Sequence, residues 1–245
     1  MISKYCDAST ASVVEIGALD SPTFRPPDVD VKFIDFTTRE RLAKSAANNP
    51  RYAIERLVEI DYVCPDSKYG ESIDSKFDLI IANHVVEHIS NVISWFRELD
   101  NLMAPGGYIF LAVPDRRYTF DIARKETGFI DLIRNDRESI RKPSFYQIFE
   151  HFYYHKSIKP KDVWSGNSMD EAIRKKRFTP KEAYVMAESM ASGEYQDVHC
   201  NVFTSDSFKE TFETLFQLEE IELELAKVTE TYQDTCEFHA VFKKS

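Results

Sequence analysis

The chain has 245 residues, of which 43% are hydrophobic and 13% aromatic, enough to bury a sizeable core and to exclude intrinsic disorder. Its formal charge of -10, from 31 Lys and Arg against 41 Asp and Glu, disfavours nucleic acid and anionic membrane as partners. Only 7 glycines are present, which argues against a phosphate-cradling loop built from several of them.

No stretch reaches the about 18 uninterrupted apolar residues of a membrane span. The N-terminal segment lacks a basic stretch followed by an apolar one, so a cytoplasmic protein is expected. Cys6, Cys64, Cys200 and Cys236 form no CxxC pair and are expected as reduced thiols.

In chain order, residues 12–16 read as a buried strand ending at Gly17, and 31–34 as a second strand ending at Asp35. Residues 38–47 are rich in helix formers. Residues 60–64 form a third strand stopped by Pro65, and 77–82 a fourth, apolar enough to be covered on both faces. From Val92 to Met103 apolar residues recur mainly at three- and four-residue spacing, predicting an amphipathic helix terminated by Pro105-Gly106-Gly107. A fifth strand follows over 108–113. Apolar runs alternating with polar, helix-compatible segments predict an α/β, doubly wound, mostly parallel sheet.

Residues 116–185 differ: aromatic, basic and irregular, they carry 16 Lys and Arg against 10 Asp and Glu, so the remainder of the chain holds a net -16. Helices are expected over 145–154 and 181–189, in a mainly helical insertion above one end of the sheet. After a helix at 205–218, strands at 223–228 and 236–242 form an antiparallel pair that completes seven strands.

Ligands of such sheets sit beyond the carboxyl ends of the strands. Asp35, 18 residues after Gly17, suits both hydroxyls of a ribose. The loop Gly17-Ala18-Leu19-Asp20-Ser21-Pro22 holds one glycine and a carboxylate, a poor pyrophosphate cradle compatible with a nucleoside bearing an amino-acid tail.

Val14-Glu15-Ile16-Gly17, Asp35, the run from Phe77 to Ile89, and Leu102 to Tyr108 together resemble class I SAM-dependent methyltransferases of Rossmann-like fold, collinearly over about residues 12–115 and again from His199. The first loop departs from that family, which usually has two or three glycines there. The resemblance implies S-adenosyl-L-methionine (SAM) as cofactor. It sets Glu15 and Gly17 beside the methionine moiety, Asp35 on the ribose, Phe36 on the adenine face, Asp66 near the adenine amino group, and Asn83 and His84 at the pocket wall. It divides the chain into a SAM-binding domain, 1–115 with 198–245, and a substrate-binding insertion, 116–197. The run Asp115 to Asp121 is loosely similar to methyltransferases of bacterial surface-glycan pathways.

The acceptor atom is an oxygen, which benefits from a base, or a neutral amine, which needs only carbonyls or carboxylates to orient it. The candidates for base or orienter, in order, are His199, Tyr118, His84 and Asp115. Arg116-Arg117 and Arg174 to Arg177 suit a small anionic or sugar-linked acceptor, because Arg grips phosphate and carboxylate bidentately. Trp164 and Tyr146, Tyr153 and Tyr154 could stack on a sugar or base, or pack the insertion onto the sheet. His151 and His155 sit four apart on a helix without a placed acid, and no metal site is expected. Two further readings stay open: a SAM-binding protein without catalysis that serves as a partner or regulator, and a zinc peptidase of HxxEH type through His84, Glu87 and His88.

Overall fold

In the computed structural model, residues 1–47, 49, 52–65, 67–166, 176–193 and 197–245 are described. Seven strands, β1 (Val13–Ile16), β2 (Val31–Asp35), β3 (Tyr62–Val63), β4 (Phe77–Asn83), β5 (Met103–Pro114), β6 (Glu224–Val228) and β7 (Glu237–Lys243), form one sheet in the order β3-β2-β1-β4-β5-β7-β6. The pairs β1–β2, β1–β4, β2–β3 and β4–β5 are parallel, and β7 runs antiparallel between β5 and β6. The order reverses between β1 and β4, so the crevice for a ligand opens at the carboxyl ends of those two strands.

One face of the sheet carries the main core. Helix α2 (Val92–Leu102) starts where the Asn91 side chain accepts from the Ser94 N–H, and it buries Trp95, Phe96, Leu99 and Leu102. Further on, Thr204 caps α7 (Ser205–Gln217), which buries Phe208, Phe212 and Leu215. The Phe96 ring lies 4.8 Å from both Phe212 and Phe242, joining α2, α7 and β7 in one aromatic block.

The opposite face is different. Its buried residues, among them Val31, Phe33, Leu79, Ile81 and Phe110, are covered by Ile2, Tyr5, Cys6, Phe24 and Ile60 from the N-terminal segment and loops. The helix-compatible stretch between β1 and β2 forms turns and no helix. Pro22, Pro26 and Pro27 lack the N–H groups a helix needs there. Between β2 and β3 the expected helix does form, as α1 (Arg39–Ala46), with the Thr38 side chain accepting from Arg41.

Pro105-Gly106-Gly107 does not end α2, contrary to expectation: the helix stops at Leu102, Met103 is already extended, and β5 runs from Met103 through this Pro-Gly-Gly segment. Gly107 is obligatory: a Cβ there would stand 2.8 Å from Met103 Cγ and 2.9 Å from the Ala104 carbonyl oxygen.

After β5 come α3 (Phe129–Arg137), α4 (Phe145–Tyr154), α5 (Pro160–Trp164) and α6 (Pro180–Ala191). Leu132 of α3 is buried in the main core, whereas Ile148 of α4, Ala187 of α6, Val198 and Cys200 form a small core of their own. No helix among the described residues is long and apolar enough to cross a membrane.

Candidate functional site

Three strand ends, those of β1, β2 and β4, build the first half of the site. Gly17 follows β1 at φ +68°, a conformation that disfavours a side chain, and an added Cβ would lie 3.1 Å from Val85 Cγ2. The glycine-poor loop is held by Glu15. Its carboxylate accepts from the Thr23 N–H at 2.8 and 3.1 Å and from the Thr23 hydroxyl at 2.9 Å. Burial raises the Glu15 pKa against those bonds. Asn83, at the end of β4, donates to the Thr23 hydroxyl at 2.9 Å, and its own carbonyl oxygen is buried without a partner.

Asp35 closes β2 and is 3% exposed. Its carboxylate accepts from the backbone N–H groups of Phe36 and Thr37, and burial nevertheless raises its pKa to about 6. A buried acid supported by two local N–H groups retains lone pairs for a ligand's hydroxyls. Phe36 beside it is 46% exposed, an aromatic face at the rim of the crevice. These features fit a nucleoside. Asp66, expected at its base, lies outside the described residues.

The second half of the site joins the β4–α2 loop to the segment before α7. The N–H groups of Cys200 and Asn201 both donate to the Glu87 carbonyl, and the Asn201 side chain donates to the carbonyls of Val86 and Ile89. This pairing sets the His199 ring 4.8 Å from that of His88. His199 Nδ1 lies 2.5 Å from Asp121 Oδ2, and its backbone N–H donates to His151 Nδ1. Burial alone would raise the Asp121 carboxyl, but His199 and Arg124 bring it down to about 2. The buried Arg124 guanidinium spans Asp121 at 3.1 Å and the His199 carbonyl at 2.8 Å.

His151 and His155 are each engaged within the protein. Burial, helped by the charge of His199, drives the His151 pKa to about 3, and its Nδ1 serves as the acceptor for the His199 backbone. His155 stacks on Phe120 and pairs with Arg177; burial and that arginine lower it to about 4.

His84 is locked at φ +53°, with Nε2 2.5 Å from Glu237 and Nδ1 3.4 Å from Glu87. Burial works against its charge, but the two carboxylates raise its pKa to about 10, so at neutral pH it is a cation and no proton acceptor. The HxxEH reading fails on the same geometry. A single 3-10 turn, Val86–His88, replaces the required helix, and Glu237 holds His84.

Asp115 is fully buried and receives the Arg117 N–H and guanidinium and the Thr231 hydroxyl. Its lone pairs are taken, and its work is to anchor the end of β5. Tyr118 stacks on Trp164 at 4.2 Å, and Trp164 donates to the Thr235 carbonyl. Of the basic cluster expected to meet an anion, Arg116 pairs with Glu126 and Arg117 with Asp115, while Lys176 covers the Tyr153 ring. Arg174 and Lys175 lie outside the described residues. Asp121, Arg124 and Glu237 are the residues that sequence reasoning missed: Asp121 and Glu237 bind histidines 78 and 153 residues away, and Arg124 joins its neighbour Asp121 to the distant His199 carbonyl.

Residues 29–215 match a family model described as "Methyltransferase domain". A stretch of 65 residues is 28% identical to the ubiquinone biosynthesis O-methyltransferase of Parvibaculum lavamentivorans, spanning 26% of each chain, about a quarter of that relative's length. Among solved structures, a methyltransferase from Streptomyces caelestis is similar with a TM-score of 0.48 at 10% identity, covering 100% of this chain and 86% of that one. A SAM-dependent methyltransferase from Methanosarcina mazei is similar with a TM-score of 0.44 at 15% identity, covering 99% and 96%.

Proposed function

This chain belongs to the methyltransferase-domain family with the Rossmann-like fold of SAM-dependent enzymes, and from that premise we propose that it methylates an oxygen of a small acceptor, with SAM as the donor. The observation that carries the cofactor half is Asp35, a buried carboxylate at the end of β2 with its capacity to accept largely unspent. In this reading Asp35 takes the ribose hydroxyls and Phe36 lies against the adenine. Gly17 lets the chain pass close to the methionine portion, with Glu15 and Asn83 fixing the loop around it.

Bound there, the cofactor supplies an electrophilic methyl whose leaving thioether needs no protonation. The protein's part is to align the acceptor and exclude water. His199 is the proton acceptor of this reading. Asp121 fixes its Nδ1, which leaves Nε2 as the basic nitrogen, the same division of labour that an orienting carboxylate gives any histidine base. Arg124 and His151 hold the ring by its backbone from either side.

The insertion, 116–197, supplies the acceptor pocket in this proposal, around the Tyr118–Trp164 stack. Support for an anionic or sugar-linked acceptor rests on that aromatic surface with Lys176 and Arg177, since Arg116 and Arg117 are neutralised by their own carboxylates. A role in surface-glycan assembly rests on the loose likeness of 115–121 alone. Titration calorimetry with SAM and S-adenosylhomocysteine tests the core of the reading. Micromolar binding of both is expected, and no heat at high micromolar ligand sinks it.

A further inference from the structure

Outside the nucleoside pocket, the largest unexplained polar feature is Glu87. Its side chain is 2% exposed, and neither carboxylate oxygen has a hydrogen-bond partner among the described residues. The His84 cation offsets part of the cost of that burial, and the carboxylate keeps acceptor capacity for a second positive partner. Its neighbours are His84 at 3.4 Å and His88, whose Nε2 lies 3.7 Å away. One carboxylate oxygen of Glu87 and one ring nitrogen each of His88 and His199 lie within 4.8 Å of one another.

The two histidines share an arrangement. Nδ1 of His199 is hydrogen-bonded to Asp121 at 2.5 Å, and Nδ1 of His88 lies 2.8 Å from Asp197 as an ion-pair contact without hydrogen-bond alignment. In His199 the carboxylate fixes the tautomer with the proton on Nδ1 and frees Nε2, while at His88 the nearby Asp197 charge favours the proton on the same nitrogen. That is the outer-shell support that metal-ligating histidines receive. We propose that Glu87, His88 and His199 form a site for a divalent cation of the zinc type, with two imidazoles, one carboxylate and a fourth position left open.

The donor set suits Zn2+ rather than Mg2+ or Ca2+, which prefer all-oxygen shells. Ligands at about 2.0–2.2 Å from the metal stand roughly 3.5 Å apart, so the three side chains close by little more than 1 Å on loading. Local charge favours a cation: Glu87, Asp121, Asp197 and Glu237 face the cluster against His84 and Arg124. Nε2 of His199 has a single lone pair, so a bound metal and the acceptor's proton compete for it. That competition rests on the base reading above; the metal site does not.

The test is titration of the full chain with Zn2+ by calorimetry, and with Co2+ by visible absorption. One-to-one micromolar binding is expected, with a tetrahedral cobalt spectrum free of thiolate charge-transfer bands. Glu87→Gln should weaken it at least tenfold. Asp197→Asn, at an exposed position where folding is safe, should weaken it 10- to 100-fold through His88. Absence of one-to-one binding, or equal affinity in Asp197→Asn, overturns the site. SAM calorimetry on the same samples separates the two readings, because retained SAM binding leaves the methyltransferase proposal standing when metal binding fails.

Discussion

His199 Nδ1 meets Asp121 Oδ2 at 2.5 Å, tying the segment before α7 to the loop after β5. Both residues are buried, and Arg124 holds the acid from its other oxygen. If His199 takes the acceptor's proton, His199→Gln should lower kcat by about 10²- to 10⁴-fold, the usual worth of a general base. SAM affinity should not change. Asp121→Asn should cost a comparable factor by releasing the tautomer. Steady-state kinetics with calorimetry decide this, and a full kcat in His199→Gln removes the assignment.

Asp35 makes the cofactor half testable through pH. Its folded-state pKa of about 6 lies above the ordinary 3.8, so it contributes stability that is fully present below pH 3.8 and is lost as pH rises through about 6. The shift corresponds to about 3 kcal/mol as an upper figure. Asp35→Asn should therefore be more stable than the parent at pH 7–8 in the absence of cofactor. SAM affinity should run the other way, falling as pH drops below about 6, because the ionised acid is the better acceptor of ribose hydroxyls. Asp35→Ala should weaken SAM at least tenfold, about 1.4 kcal/mol. Calorimetry from pH 5 to 8 checks both, and unchanged affinity in Asp35→Ala overturns the ribose assignment.

Much of this architecture was legible because its signals are local. The apolar run over β4, the helical spacing over α2 and Asp35 at the end of β2 all follow from neighbouring residues. The missing β1–β2 helix was legible too, in Pro22, Pro26 and Pro27, but alternation of apolar and polar segments masks it. The site's second half was not. His199 and Asp121 are 78 residues apart, and His84 and Glu237 are 153 apart, so no spacing rule joins them. Charge counting also misled over Arg116 and Arg117, since a sequence shows a cation but not the carboxylate that neutralises it.

Gly17 gives a prediction about the first loop. With φ at +68° and Val85 Cγ2 3.1 Å from the place of a Cβ, Gly17→Ala adds left-handed strain and a contact with a stiff β-branched side chain. A loss of about 1–2 kcal/mol is expected, lowering Tm by roughly 2–8 °C for a chain of this size. SAM affinity should fall with it. A thermal melt with and without cofactor measures both effects.

His84 is predicted to matter for stability rather than for proton transfer. His84→Ala leaves the buried Glu87 carboxylate without its nearest cation and frees Glu237 at the edge of β7. Breaking a buried pair costs about 3–5 kcal/mol, and the 44% exposure of the His84 side chain places this one at or below the lower end. His84→Asn, which tolerates the left-handed backbone, should recover part of the loss. Urea denaturation of both variants is the check.

Tyr118 and Trp164 separate packing from chemistry. The rings stack at 4.2 Å and 5°, and the Trp164 N–H reaches the Thr235 carbonyl, pinning α5 to the β6–β7 connection. An offset aromatic pair adds about 0.5–1.5 kcal/mol beyond burial. Trp164→Ala should therefore loosen the acceptor side, raising the acceptor's KM several-fold while SAM affinity stays constant. Tyr118→Phe keeps the stack and removes only the hydroxyl, so its kcat and KM should match the parent. A hundredfold loss of kcat in Tyr118→Phe would instead make that hydroxyl the proton acceptor and return His199 to a packing role. His199 ranks above Tyr118 because Asp121 fixes it through Nδ1, the nitrogen that leaves Nε2 to work, whereas the Trp164 stack holds the Tyr118 ring without orienting its hydroxyl toward a base.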